Sequence, residues 1–277
     1  MKKIILILLL SFLLIAVTIT VVLASESKGM LLCLPGFPGT AAQAQPYVDK
    51  VFRYLEKELS WANKSLQGHY ISDGEQAVKK LFSDKPKLAL VGPSIYAGQH
   101  KKMGMKVIAK VVANGRGEEI YSVIVKKNGP KTLTEISGKK LAGAVVHDSK
   151  YVYNVLLDQK IKNNSLILIS QKRPLRSLRE VVRGKVDAAI VDQFVVDHMN
   201  ELPIADDLKI IYKSKPVPAP VAVVMGINKT ETKKIQTALI KMCSYQAGKD
   251  LCKSLTITSI KRASDATYKD LLERYER

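Results

Sequence analysis

After residue 28 the sequence alternates short, almost wholly apolar runs with stretches whose apolar residues recur every three or four positions. Runs of the first kind suit buried strands and those of the second suit amphipathic helices, so their alternation predicts α/β construction. The predicted strands are Met30–Leu34, Tyr70–Ile71, Leu88–Val91, Val107–Val112, Ile120–Val125, Leu141–Val146, Leu166–Ile169, Val186–Val191, Leu208–Tyr212 and Val221–Met225. Between them lie helical patterns. One carries Val48, Val51, Leu55 and Leu59, with Pro46 in its first turn. Asp73 and Gln76 box a helix over Glu75–Phe82, and Thr132 with Glu135 boxes a short one ending at Gly138. Further helices are expected over Ser149–Ile161, Leu178–Arg183 (capped by Ser177 and Glu180), Thr230–Met242, Gly248–Ser254 and Ala266–Tyr275.

The pattern runs through two α/β series joined by extended stretches near 113–125 and 214–225, the second containing Pro216, Pro218 and Pro220. Two lobes with a double-crossover hinge follow, each a central sheet flanked by helices. Residues 25–120 with 222–277 form the first, discontinuous lobe, and 121–221 the second. Such a design closes about a ligand by hinge rotation.

Residues 1–24 carry a different signal. Lys2 and Lys3 precede an uncharged run from Ile4 to Leu23, and Val22-Leu23-Ala24 gives a processing site. This is the pattern of a secretory signal peptide; the alternative is a retained membrane anchor, and both send the rest of the chain outward. Cleavage takes only Lys2 and Lys3 from a net charge of +19. The remaining cations are scattered pairs such as Lys79-Lys80 and Lys139-Lys140, so they read as solvated faces rather than a nucleic-acid surface. Their summed field still attracts small anions. In an oxidising compartment, Cys243 and Cys252, nine apart, either form a disulfide or pack as two buried thiols, while Cys33 lies in an apolar strand. His69, His100, His147 and His198 have no metal-ligand spacing, and no nucleophile elbow, phosphate loop or Cys-x-x-Cys occurs. No cofactor, metal or enzymatic activity is expected.

Several segments, in order, resemble one family. They are Leu88-Ala89-Leu90-Val91-Gly92-Pro93-Ser94-Ile95-Tyr96, Tyr121 through Val125, Leu133 through Ala142, Val182 through Ala189, and Ser214 through Pro220. Together they resemble the PhnD-like phosphate, phosphite and phosphonate-binding proteins of ABC importers, which have the type 2 periplasmic-binding fold. The resemblance implies a periplasmic protein that delivers a small oxyanion to an ABC permease. In that family a Ser/Thr-rich helix start holds the oxyanion through hydroxyls, backbone N–H groups and the helix dipole. Here the stretch reads His147-Asp148-Ser149-Lys150. Ser149 keeps a hydroxyl, and His147 and Lys150 are offered as charged donors. Asp148 opposes an anion unless it turns away as the helix cap.

The other candidate ligand contacts each have a plain alternative. Ser94 and Tyr96 follow a strand at a Gly-Pro break, where open α/β sheets bind ligands; alternatively Ser94 caps a helix and Tyr96 packs. Thr40 offers a hydroxyl or is a turn residue. Tyr121 sits at the crossover, like a tyrosine of the family. Asp192 holds a ligand amine or hydroxyl, or caps the helix near Phe194. A second functional reading keeps the fold with a degenerate site, anchored by Ile4–Leu23 and signalling to a partner. The mature protein should begin at Ser25 by N-terminal sequencing; Met1 retained on membrane-extracted protein would instead favour the anchored form.

Overall fold

The computed structural model describes residues 28–34 and 40–277; expectations placed on residues 1–24 and on the turn Pro35–Gly39 fall outside them. Two sheets organise the chain. The first has strand order β13-β4-β12-β3-β1-β2. It comprises β1 (Lys28–Cys33), β2 (Leu66–Ile71), β3 (Leu88–Val91), β4 (Lys106–Ala113), β12 (Val221–Val224) and β13 (Ile257–Arg262). β1 runs parallel to both β2 and β3, whereas β12 returns antiparallel between β3 and β4. The second sheet, β10-β6-β9-β7-β8, contains β6 (Tyr121–Lys126), β7 (Lys140–Gly143), β8 (Ile167–Ser170), β9 (Ala188–Asp192) and β10 (Leu208–Lys213). A two-stranded ribbon of β5 (Glu118–Glu119) and β11 (Val217–Pro218) joins the two crossing segments. This is the expected two-lobed periplasmic-binding-protein architecture, with two mixed sheets flanked by helices.

Helices cover both faces of the sheets, so strands such as β6 and β12 are buried along nearly their whole length rather than on alternate residues. The core containing Cys33, Tyr96 and Val223 of the first layer continues into Tyr121, Leu141 and Tyr151 of the second. A separate cluster packs α1 (Ala41–Glu58) and α6 (Lys229–Lys241) on the outer side of the first sheet.

Four local expectations need correction. α1 begins at Ala41, and Pro46 lies inside it rather than in its first turn, because Thr40 and Gln43 form a reciprocal capping box before it. The helix α4 (Pro174–Val182) starts at Pro174, so Ser177 is a buried interior residue and not a cap. The strand expected over Leu141–Val146 stops at Gly143. The helix expected over Ser149–Ile161 is short, with six residues, Tyr151–Leu156, in π-helical form. At Gly143 a Cβ would lie 2.6 Å from the Ile190 side chain and 2.7 Å from its carbonyl. Asp158 and Gln159 adopt left-handed φ values and end the helix. Its residues 151–156 are all buried, as expected of a segment enclosed on every side.

Cys243 and Cys252 form a disulfide with a Cα–Cα distance of 5.5 Å, linking a short turn after α6 to α7 (Gln246–Ser254); Cys33 is a free, buried thiol. Burial pushes that thiol's pKa well up, so it should be inert. Peptide mapping without reductant should recover the Cys243–Cys252 link. Its removal by Cys243→Ala with Cys252→Ala should cost about 2–3 kcal/mol in denaturant unfolding. Recovery of three alkylatable thiols from native protein would contradict the bond.

Candidate functional site

A cleft of about 480 Å³ opens where the C-terminal ends of β1 and β3 meet the second layer, the position at which open α/β sheets receive ligands. α1 contributes Gln43, Ala44, Tyr47, Val48 and Val51, and the strand ends contribute Leu32, Leu34, Tyr70, Leu90 and Val111. Gly92, Pro93 and Ser94 belong to the start of α3 (Pro93–Met103). Glu119, Tyr121 and Pro220 come from the crossover, and Val145, Asp192 and Phe194 from the second layer. No Lys, Arg or His lines the cleft among the described residues.

Its polar groups include Gln43, Asn114, Ser254 and Thr256 at the rim, and Ser94 and Tyr121 within. Ser94 is 2% exposed and Tyr121 8% exposed, and neither hydroxyl has a hydrogen-bond partner among the described residues. Pro93 occupies the first position of α3, which sets its φ for the helix. The N–H groups of Ser94 and Ile95 then lack intrahelical acceptors. Burial, followed by neighbouring Tyr151, Asp192 and Glu119, raises the Tyr121 pKa, so its hydroxyl stays protonated and able to donate.

Two carboxylates share the same space. Tyr121 stands opposite Asp192 in the β6–β9 register, and Glu119 lies two residues before Tyr121. Glu119 Oε2 is buried without a partner. Burial first, then the charge of Asp192, pushes the Glu119 pKa up to about 7, against a lowering effect from Arg116, which pairs with Asp197. Burial also raises the Asp192 pKa, opposed by the backbone N–H groups of Val195 and Phe194. Asp192 caps α5 (Gln193–Asp197) through the Val195 N–H at 3.0 Å, the alternative to a ligand contact, and it also lines the cleft.

Ser94, Tyr121 and Asp192 therefore come together, and five other candidates do not join them. The Thr40 hydroxyl is used in the α1 cap, although Gln43, its partner, reaches the cleft. Tyr96 is fully buried; its hydroxyl donates to Asp265 Oδ1 at 3.1 Å and its ring meets Tyr268 edge-on. The His147 ring fills the space beside Gly74, where a Cβ would come within 2.4 Å of it. Ser149 and Lys150 are exposed. Lys150 Nζ lies 2.8 Å from Glu276 Oε2 and over the Tyr275 ring.

The helix start is instead engaged by the C-terminal helix α8 (Lys269–Glu276). Asp148 accepts from the Tyr151 N–H and from the Tyr275 hydroxyl, both at 3.0 Å, so it is the turned-away cap. Asn154 donates to the Tyr275 carbonyl, and buried Arg274 donates to the Pro216 carbonyl at 2.9 Å. Hydrogen bonds from Lys150 and then Lys101 hold the Glu276 carboxyl down to about 2. Sequence reasoning missed Glu119 because Glu118-Glu119 follows a polar turn and reads as solvated. The available signal was its i, i+2 spacing from Tyr121, which puts both on one side of an extended chain.

The family described as the periplasmic substrate-binding protein of the phosphonate ABC transporter matches residues 39–268. No curated protein matches the chain. Among solved structures, a Xanthomonas citri protein bound to ATP superposes with a TM-score of 0.69 at 14% identity, covering 90% of this chain and 96% of its own. A binding-protein component of an ABC phosphonate transporter from Pseudomonas aeruginosa gives 0.68 at 12% identity, covering 90% and 86%. A Prochlorococcus marinus protein in complex with methylphosphonate gives 0.63 at 12%, covering 90% and 98%. At such identities these likenesses establish the fold.

Because the Glu119 pKa is raised in the folded chain, the folded state binds its proton more tightly than the unfolded state. Stability associated with this group is complete at low pH and is lost as pH rises through about 7. Thermal unfolding of Glu119→Gln should therefore show a gain over the unsubstituted protein that grows from pH 5 to pH 8. Parallel profiles would place Glu119 in solvent.

Proposed function

Because the chain belongs to the periplasmic substrate-binding proteins of ABC phosphonate transporters, we propose that the cleft holds a phosphonate through Ser94, Tyr121 and the first turn of α3. The family binds and delivers; it does not catalyse. The observation that carries this assignment is the pair of hydroxyls of Ser94 and Tyr121, on buried residues, that line a single cleft beside a helix N-terminus. Hydroxyl and N–H donors suit phosphonate oxygens, and the helix dipole favours their charge.

Glu119 and Asp192 do not prevent this. With its pKa near neutrality, a protonated Glu119 presents an O–H donor to the ligand, and an arriving anion favours that protonated form further. Asp192 remains available for a donor group elsewhere on the ligand. The positive field of the whole chain draws the anion in, and the permease of an ABC importer is the partner to which it passes. Residues 25–120 with 222–277 serve as one lobe and 121–221 as the other, hinged through the β5–β11 ribbon.

One observation favours the second reading, a signalling protein of the same fold. The helix start that resembles the family's oxyanion site is engaged by α8. Calorimetry separates the two. Ser94→Ala and Tyr121→Phe should each weaken binding of a phosphonate by about 1.5–3 kcal/mol, roughly ten- to a hundredfold. Ser149→Ala, remote from the cleft, should leave affinity unchanged. If the unsubstituted protein binds no phosphonate at millimolar concentration, the transport assignment gives way to the signalling one.

A further inference from the structure

The cleft is far larger than a small phosphonate needs. Methylphosphonate has about five heavy atoms; at roughly 30 Å³ each, the share of a liquid water, it fills about 150 Å³. The cleft holds about 480 Å³, within the range that takes ligands of drug size. Most of the excess is apolar. Leu32, Val48, Val51, Leu90, Val111 and Ile257 line it, and all six belong to or pack against one hydrophobic cluster beneath α1. Tyr121 and Val145 belong to the other core. The wall of the cleft is thus aliphatic for much of its length toward α1, β4 and β13, with Gln43, Asn114, Ser254 and Thr256 as polar groups on that side, while Glu119, Tyr121 and Asp192 lie toward the crossover. Leu32, Val48, Val51 and Val111 are each under a tenth exposed, so they present packed aliphatic groups to the cleft rather than an open patch.

We propose that the ligand presents an apolar body of about six to eight carbons to this aliphatic wall while its polar head meets Ser94 and Tyr121. The inference rests on the proposed function for the identity of the head but not for the body. Val48 and Val51 lie one helical turn apart on the buried face of α1, so together they form a continuous strip against which an extended chain can lie. Ala44, one turn earlier on the same helix, is the small residue that keeps this end of the cleft open. A small, fully polar ligand would gain little from this wall. An alkyl or aryl body would pack against it, each buried methylene raising affinity by about fourfold.

The experiment is calorimetric titration of the full mature protein with methyl-, butyl-, hexyl- and phenylphosphonate, alongside butyl- and hexylsulfonate. Affinity should rise at least about a hundredfold from methyl- to hexylphosphonate, and the heat-capacity change of binding should become more negative with each added carbon. Ala44→Phe should flatten the length dependence. Should that variant fold poorly, the heat-capacity series on the unsubstituted protein decides the matter alone. Equal affinity for methyl- and hexylphosphonate would overturn the apolar body while leaving phosphonate binding intact. Length-dependent binding of sulfonates but of no phosphonate would keep the apolar body and remove the phosphonate assignment. No binding by any member of either series would overturn both.

Discussion

The two sheets share no strand, so the chain relies on contacts outside them to fix one layer against the other. The contact made by α8 is the one on which the rest depends. It starts beside Tyr268 in the first layer's core and ends on the π-helical segment of the second. Arg274 is 2% exposed and donates to the Pro216 carbonyl within a crossing segment; its ion-pair partner, Asp270, is largely exposed. The two lysine bridges to Glu276 are solvated and add little. The hydrogen bonds from Asn154, Tyr275 and Arg274 are less accessible to water, and they carry the specificity of the join. With the layers held in this way, Ser94 of one faces the same space as Tyr121 and Asp192 of the other.

This arrangement also explains what the sequence could and could not reveal. Apolar runs such as Leu88–Val91 and Val221–Met225 were legible because a strand buried on both faces needs an unbroken apolar stretch. β13 was not, since only Ile260 of its six residues is buried and no alternation announces it. Of the site, Ser94 was legible from its place after a strand and a Gly-Pro break. Tyr96, two residues on, shares that signal, yet the helix turns its side chain into the core toward Asp265. His147, Ser149 and Lys150 occupy the positions that a family resemblance assigns to the oxyanion. Whether they reach it depends on α8, more than a hundred residues later in the sequence, and no local pattern reports that.

Charge acts on two scales here. The whole chain carries +19, but the cleft is lined by two carboxylates and by no described cation. The long-range field acts on any approaching anion, while inside the cleft the only charges among the described residues are those of Glu119 and Asp192. A group with a pKa near 7 in an apolar cleft offers a donor or an acceptor according to what lies beside it, which a fixed cation cannot do.

The β5–β11 ribbon has a mechanical consequence. Both crossings of the chain between layers are paired to each other, Val217 with Glu119 and Pro218 with Glu118. They cannot twist independently, and Pro216, Pro218 and Pro220 stiffen one of them. If the lobes rotate on each other, this pairing is where the two crossings bend together. Points near an axis travel least. In such a rotation, Phe194 and Val145 of the second layer would move farther than Glu119, which is part of the ribbon itself.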